Sequence, residues 1–119
     1  MSEPRVFVVD DDLEVREALA LLMQSVGLAV STYGSALAFL EAFDADQPGC
    51  IVLDVRMPGM SGLDLQERLS TEKLHPPVII ITGHGDVPMA VRAVKSGAVE
   101  FIEKPFNDQA LLDLSLIHI

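Results

Sequence analysis

Short apolar runs of strand length alternate along this chain with segments whose apolar residues recur every three to four positions. Four of these runs end at polar or turn residues and favour buried strands: RVFVV at 5–9, CIVLD at 50–54, VIII at 78–81 and EFIE at 100–103. The stretch 28–33 alternates apolar and polar residues, as a half-exposed strand does. Regular alternation of strand and helix predicts an α/β fold with a parallel sheet and helices on both faces.

The remaining segments carry helical spacing and the residues that begin and end helices. Asp12 is a good N-cap for the first of them, and Gly27 a good end. Asn107 caps a last helix that the chain barely begins. The predicted helices before it follow Asp12 and Ser35 and lie at 61–69 and 87–96.

Composition narrows the function classes. The 119 residues are half hydrophobic and form one domain, and 18 acidic against 8 basic residues give a net charge of −10. This charge argues against the segment holding nucleic acid phosphates by itself. The single cysteine, Cys50, is interpreted as a buried structural thiol in a reducing compartment. We find neither a membrane-span pattern nor a signal peptide and expect a cytoplasmic protein.

Chemistry-bearing side chains follow four of the predicted strands at the point where each strand ends. Asp10 and Asp11 follow the first strand and Asp54 closes the third, while Thr82 and Lys104 follow the fourth and fifth. The carboxyl ends of parallel strands share one edge of the sheet. In a flavodoxin-like sheet of order 2-1-3-4-5 the first and third strands flank the switch point, so the three carboxylates should converge there.

Three adjacent carboxylates repel one another unless a cation joins them. Oxygen ligands with open positions suit Mg²⁺, which keeps waters and takes further ligands from a phosphate. Asp54 would then be the nucleophile that accepts a phosphoryl group. Lys104 would neutralise charge on the phosphoryl oxygens, and Thr82 would donate a hydrogen bond to one of them.

Each of these residues also has an ordinary structural interpretation. The acidic run is a helix cap, Asp54 a turn residue, Thr82 a strand former and Lys104 a solvated charge. Taken singly, each would be assigned to structure. Their joint placement at successive strand ends favours a site.

The chain resembles a response regulator receiver domain of bacterial two-component signalling. The matching segments are VVDDD at 8–12, LDVRMPGMSG at 53–62, ITGHGD at 81–86 and FIEKPF at 101–106. The resemblance implies a receiver that takes a phosphoryl group from a sensor histidine kinase and turns over no separate metabolite. It also implies that the Lys104-Pro105 bond is cis. The implied roles are phosphoacceptor for Asp54, Mg²⁺ ligands for Asp11, Asp54 and the backbone carbonyl of Arg56, indirect metal contact for Asp10, and phosphoryl contacts for Thr82 and Lys104.

The family also couples its conserved hydroxyl to an aromatic ring. Here the resemblance implies a switch made of Thr82 and Phe101 that remodels the face of helix four, strand five and helix five. Plain core packing is the alternative for Phe101. Arg56 and His84 occupy positions that tune phosphate lifetime in the family.

The sequence of residues 81–91 is similar to that of the FixJ-type branch, whose receivers precede a LuxR-type helix-turn-helix. Receivers of sigma-54 activators have similar sequences here, so the type of output domain is inferred by analogy alone. We expect a phosphorylation-dependent homodimer without direct nucleic acid contact by this segment.

Two other function classes fit the sequence less well. A phosphohydrolase would need an acid where Arg56 stands, and a nucleotide-binding module would need a glycine-rich or hydroxyl-rich loop where the acidic run stands.

The last six residues, LSLIHI at 114–119, resemble the translation of a common sequencing-library adapter. We therefore expect residues 1–113 to be the receiver domain and 114–119 a non-native tail, with the fifth helix truncated. A genuine apolar tail is the alternative.

Overall fold

The structure, a computed structural model, describes residues 3–44, 46–71, 76–83 and 86–119, apart from the side chain of His118. Its five strands pair in parallel in the order β2-β1-β3-β4-β5. The predicted doubly wound sheet and its order are confirmed. The strands are β1 Arg5–Val9, β2 Ala29–Tyr33, β3 Gly49–Asp54, β4 Val78–Thr82 and β5 Glu100–Glu103.

Helices follow each strand, and side-chain caps fix where most of them begin. The helices are α1 Leu13–Ser25, α2 Ala36–Ala42, α3 Gly62–Ser70, α4 Val87–Lys95 and α5 Asp108–His118. The side chains of Asp12, Ser35, Ser61 and Asn107 each accept a backbone N–H of the first turn. None of the described helices is long and apolar enough to cross a membrane.

The sheet separates two hydrophobic clusters, because alternate residues of each strand point to opposite faces. One cluster joins Val9 and Leu53 to Phe39 and the residues beneath α3 and α4. The other joins Val8 and Val52 to α1 and α5. All six residues of β3 are buried, so the strand that ends at Asp54 lies at the centre of the fold.

Cys50 lies in the second cluster, beneath α5. It is fully buried, with its Sγ 3.9 Å from the carbonyl oxygen of Ser115. Burial raises the pKa of the Cys50 thiol to about 11, so the thiol stays neutral at physiological pH. The predicted burial of this cysteine is confirmed.

Helix α5 is longer than the sequence pattern indicated. It runs for 11 residues, with Leu111 and Ser115 facing inward and Leu116 and Ile117 exposed. A β-branched residue such as Ile117 lowers helix propensity by only a fraction of a kcal/mol, which packing against the sheet outweighs. The assignment of residues 114–119 to a non-native tail stays a prediction.

The loop between β3 and α3 passes close beneath the carboxylate edge of the sheet. The N–H of Gly62 donates to the carbonyl oxygen of Val55 at 2.9 Å. A Cβ on Gly62 would collide with the carbonyl oxygen of Asp54 and would lie 2.7 Å from the Cα of Val55. A glycine at this position therefore lets the loop fold back on the end of β3.

We predict that Gly62→Ala destabilises the protein. Alanine favours a helix over glycine by up to about 1 kcal/mol, but collision with backbone atoms costs about 1–3 kcal/mol or more, so the collision decides the sign. Urea denaturation measures the difference. Gly83→Ala is the matched control, because among the described residues a Cβ there would meet Asp86 Oδ2 alone, at 3.6 Å. Equal midpoints for Gly62→Ala and the unmodified protein would contradict the prediction.

Candidate functional site

Three carboxylates converge at the carboxyl edge of the sheet. Asp10 and Asp11 follow β1, Asp54 closes β3, and one oxygen of each lies within 4.8 Å of the others. The Asp10 and Asp54 residues are 1% and 7% exposed, whereas Asp11 is exposed. The cluster is therefore buried on its sheet side and open to solvent on the side of Asp11.

The carboxylate oxygens of Asp10, Asp11 and Asp54 are suitable ligands for a hard divalent cation. Asp10 Oδ1 accepts the N–H of Asp12 at 2.9 Å. Asp10 Oδ2 is buried and accepts no hydrogen bond from any described residue. Carboxylate oxygens gathered this closely, one of them without a hydrogen-bond donor, suit Mg²⁺. The residues present are compatible with the metal that the resemblance implies.

Burial and like charge make the carboxyls of Asp10 and Asp54 hold protons more tightly than usual. Burial and, to a smaller extent, the charge of Asp10 together raise the pKa of Asp54 to about 6, against the lowering effect of Lys104 and of the N–H of Arg56. Burial also raises the pKa of Asp10. A cation bound among them would favour the ionised forms.

Among the described residues, Lys104 supplies the positive charge nearest to the buried carboxylates. Its Nζ lies 3.6 Å from Asp10 Oδ2 and 3.9 Å from Asp54 Oδ1. The backbone N–H of Lys104 donates to the carbonyl oxygen of Thr82 at 2.7 Å, which ties the end of β5 to that of β4. The bond between Lys104 and Pro105 is cis, as the resemblance implied.

Thr82 and Phe101 lie on the same face of the sheet. Thr82 is fully buried, and its hydroxyl donates to the carbonyl oxygen of Gly83 at 3.3 Å. Phe101 pairs with Ile80 in the β4–β5 register, and Thr82 pairs with Glu103. The half-buried Phe101 ring packs against the first hydrophobic cluster. Its role as a switch and its role as plain core both stay predictions.

Arg56 lies beside the carboxylates through its backbone and contacts α4 through its side chain. Its N–H is 3.5 Å from Asp54 Oδ1. Its Nε and Nη2 donate to Asp86 Oδ1 at 3.1 and 2.7 Å, and this hydrogen bond lowers the pKa of the Asp86 carboxyl. Asp86 precedes α4 but makes no capping bond with its side chain. His84, the other predicted lifetime residue, lies outside the described residues.

Sequence reasoning did not single out Asp86 or Arg16, although both contact the site. Asp86 pairs with Arg56 across 30 residues of chain, and no local pattern marks such a pair. Arg16 Nη1 donates to the carbonyl oxygen of Asp10 at 2.8 Å. A basic residue one turn inside a helix that follows an acidic run was the only signal available for Arg16.

Comparison with known proteins agrees with this geometry. Residues 6–115 match the family model described as the response regulator receiver domain. Nodulation protein W of Bradyrhizobium diazoefficiens is 56% identical over 108 residues, which cover 91% of this chain and 48% of that protein. The transcriptional regulatory protein FixJ of Azorhizobium caulinodans is 56% identical over 107 residues, which cover 90% of this chain and 51% of that protein.

A crystal structure of FixJ-N superimposes with a TM-score of 0.86 and 50% sequence identity, covering 95% of this chain and 90% of that one. The chain spans about half the length of the curated relatives it matches. The likeness therefore concerns one domain of those proteins.

We predict that Asp54→Asn stabilises the metal-free protein at neutral pH. Between about pH 4 and pH 6 the unfolded carboxyl has lost its proton while the folded one keeps it, so rising pH favours unfolding. A pKa shift of this size lowers the free energy of unfolding by roughly 2–3 kcal/mol at pH 7. Asparagine does not ionise, so the substitution removes this loss of stability. Urea denaturation in EDTA should show a gain for Asp54→Asn that shrinks as the pH falls to about 4.

Glu41→Gln is the matched control for that experiment. Glu41 is an exposed carboxylate on α2. We expect its replacement to leave the free energy of unfolding unchanged at pH 7 and at about pH 4. A gain for Asp54→Asn that is the same at every pH would contradict the stated cause, since it would not track ionisation.

Proposed function

This chain belongs to the response regulator receiver domain family, of FixJ type, and from that membership we propose that it accepts a phosphoryl group on Asp54 from a sensor histidine kinase. The observation that carries the proposal is the buried Asp54 carboxylate, which has carboxylate oxygens of Asp10 and Asp11 within 4.8 Å and the Lys104 Nζ at 3.9 Å.

The transfer breaks one bond and forms another at phosphorus. An Asp54 oxygen attacks the phosphorus of the kinase phosphohistidine, the P–N bond breaks, and its electron pair stays on the histidine nitrogen. Attack needs the ionised carboxylate. With a pKa of about 6, Asp54 remains mostly ionised at neutral pH even before a cation binds.

The residues around Asp54 bind and orient the phosphoryl group. Asp11, Asp54 and the backbone carbonyl of Arg56 would hold Mg²⁺, and Asp10 would act on it indirectly. A bound Mg²⁺ neutralises charge on the phosphoryl oxygens. Lys104, already within 4 Å of Asp54, supplies a second positive charge. The Thr82 hydroxyl would exchange its bond to Gly83 for one to a phosphoryl oxygen.

Phosphorylation would then shift an equilibrium between two conformations of the α4, β5 and α5 face. The effect is limited by the difference in phosphoryl interactions between the two states. Thr82 and the Phe101 ring would carry the change, and Arg56, with its partner Asp86, would tune phosphate lifetime. His84 is proposed as a second tuning residue from its sequence position alone.

The same face supports the proposal of a phosphorylation-dependent homodimer. Val91 and Val94 on α4 and Val99 just before β5 are each more than a third exposed, although they are apolar. Apolar side chains grouped in this way favour burial against a partner. A second copy of the chain would cover them once the face is remodelled.

The domain would act on transcription through a DNA-binding output domain beyond the segment described. FixJ of Azorhizobium caulinodans, which is about twice as long as this chain, is a transcriptional regulatory protein. The net charge of −10 agrees with a receiver that leaves DNA contact to another domain. We place the protein in the cytoplasm and propose that it turns over no separate metabolite. Arg56 stands where an aspartyl-phosphate hydrolase would need an acid.

Intact-protein mass spectrometry after incubation with Mg²⁺ and acetyl phosphate tests the proposal. We expect one phosphoryl adduct, lost in EDTA and lost in Asp54→Asn, because asparagine has no carboxylate oxygen to attack phosphorus. Asp113→Asn removes an exposed acid of α5 and is the control that should retain the adduct. An adduct that survives in Asp54→Asn, or none in the folded unmodified chain, would overturn the assignment.

A further inference from the structure

The guanidinium of Arg16 is hydrogen-bonded to the peptide group that joins Asp10 and Asp11. Arg16 Nη1 donates to the Asp10 carbonyl oxygen at 2.8 Å, and that carbonyl belongs to the bond between Asp10 and Asp11. The Arg16 backbone N–H donates to the carbonyl oxygen of Asp12 at 3.0 Å. Both the side chain and the backbone of Arg16 therefore bond to the short acidic segment after β1.

This carbonyl lies just beyond the regular sheet. Val9 is the last residue of β1 with partners on both β2 and β3, and the N–H of Asp10 makes one more bond, to Tyr33. Other contacts hold the Asp10 side chain through Asp12 and Lys104. The Arg16 bond is the additional contact that fixes the direction of the peptide leading to Asp11.

The loop after β2 leaves room for this guanidinium. A Cβ on Gly34 would lie 3.1 Å from Arg16 Nη1 and 3.4 Å from Arg16 Cζ, closer than side chains usually pack. The absence of a side chain at position 34 lets Arg16 lie against the backbone there. The same Nη1 atom that bonds to the Asp10 carbonyl oxygen therefore lies against Gly34.

We propose that Arg16 is a positioning residue for the cation site, because it holds the Asp10–Asp11 peptide so that the exposed Asp11 carboxylate stays beside Asp10 and Asp54. The inference rests on the proposed function, which requires a divalent cation at these carboxylates. Arg16 forms no ion pair with another described residue, so its contact with the site is made through the backbone.

Charge alone would give the opposite sign. A guanidinium near a cation site repels the cation, so removing its charge should strengthen Mg²⁺ binding if Arg16 acted only electrostatically. Loss of positioning should weaken binding, since Asp11 would lose its fixed approach. Residues that orient metal ligands typically change affinity by about 10–100-fold when they are replaced.

Thermal unfolding of the whole chain at increasing Mg²⁺ concentration tests the inference without using phosphorylation as the readout. A ligand that binds the folded state raises the unfolding midpoint, and the concentration dependence reports affinity. For Arg16→Met we expect the Mg²⁺ concentration for half-maximal stabilisation to rise roughly tenfold. Arg16→Lys, which keeps a donor, should recover part of the loss.

Gly34→Ala perturbs the same contact while keeping Arg16 and its charge. Its added Cβ should displace the guanidinium and raise the half-maximal Mg²⁺ concentration as well. Gly34→Ala also keeps the inference testable if Arg16→Met does not fold. The unfolding curve of Arg16→Met without metal would show whether it folds. Arg68→Met is the matched control, since Arg68 is an exposed cation in the last turn of α3.

An unchanged or lowered half-maximal concentration in Gly34→Ala, or in a folded Arg16→Met, overturns the inference. A rise in the variants that fold, with Arg68→Met unchanged, supports it. If Mg²⁺ stabilises the unmodified chain but the variants respond identically, only the role of Arg16 fails. If the unmodified chain shows no response to Mg²⁺, the cation site fails, and this inference fails with it.

Discussion

Repulsion among three carboxylates at one edge of the sheet is the constraint around which the rest of this molecule is arranged. Parallel strands deliver Asp10, Asp11 and Asp54 to the same place, and two of the three are buried. Buried like charges cost free energy unless protons, a cation or fixed donors compensate them. Lys104 and the N–H of Asp12 supply compensation from the protein, and the raised pKa of Asp54 shows that it is incomplete. A site left short of positive charge is suited to bind a cation and then an electrophilic phosphoryl group.

Much of this arrangement follows from local sequence patterns. The buried run before Asp54 predicts a central strand, and alternation with helical segments predicts parallel pairing, so residues far apart in sequence can be assigned to one edge. Caps such as Asp12 and Asn107 are equally local, because each bonds to the backbone within three residues. The placement of Lys104 beside Asp54 required only the strand order.

Contacts made by long side chains across the fold could not be predicted in the same way. Arg56 reaches Asp86, and Arg16 reaches the Asp10 carbonyl, through rotamers that depend on the space their neighbours leave. The extent of α5 likewise depends on packing against the sheet. The sequence pattern begins the fourth helix at residue 87, but it does not indicate that the Asp86 carboxylate bonds to Arg56 and leaves the first turn of α4 without a side-chain cap.

The complete burial of β3 has a mechanical consequence. The carboxylate expected to carry the phosphoryl group is anchored to a fully buried strand, with neighbouring strands on both edges and packed side chains on both faces. Local opening costs least where buried contacts are few. The sheet edge at β5 has exposed residues at both ends, and α4 begins without a side-chain cap. If Asp54 accepts a phosphoryl group as proposed, β3 would be the fixed frame, and the displacement would be expected at this margin of β5 and α4.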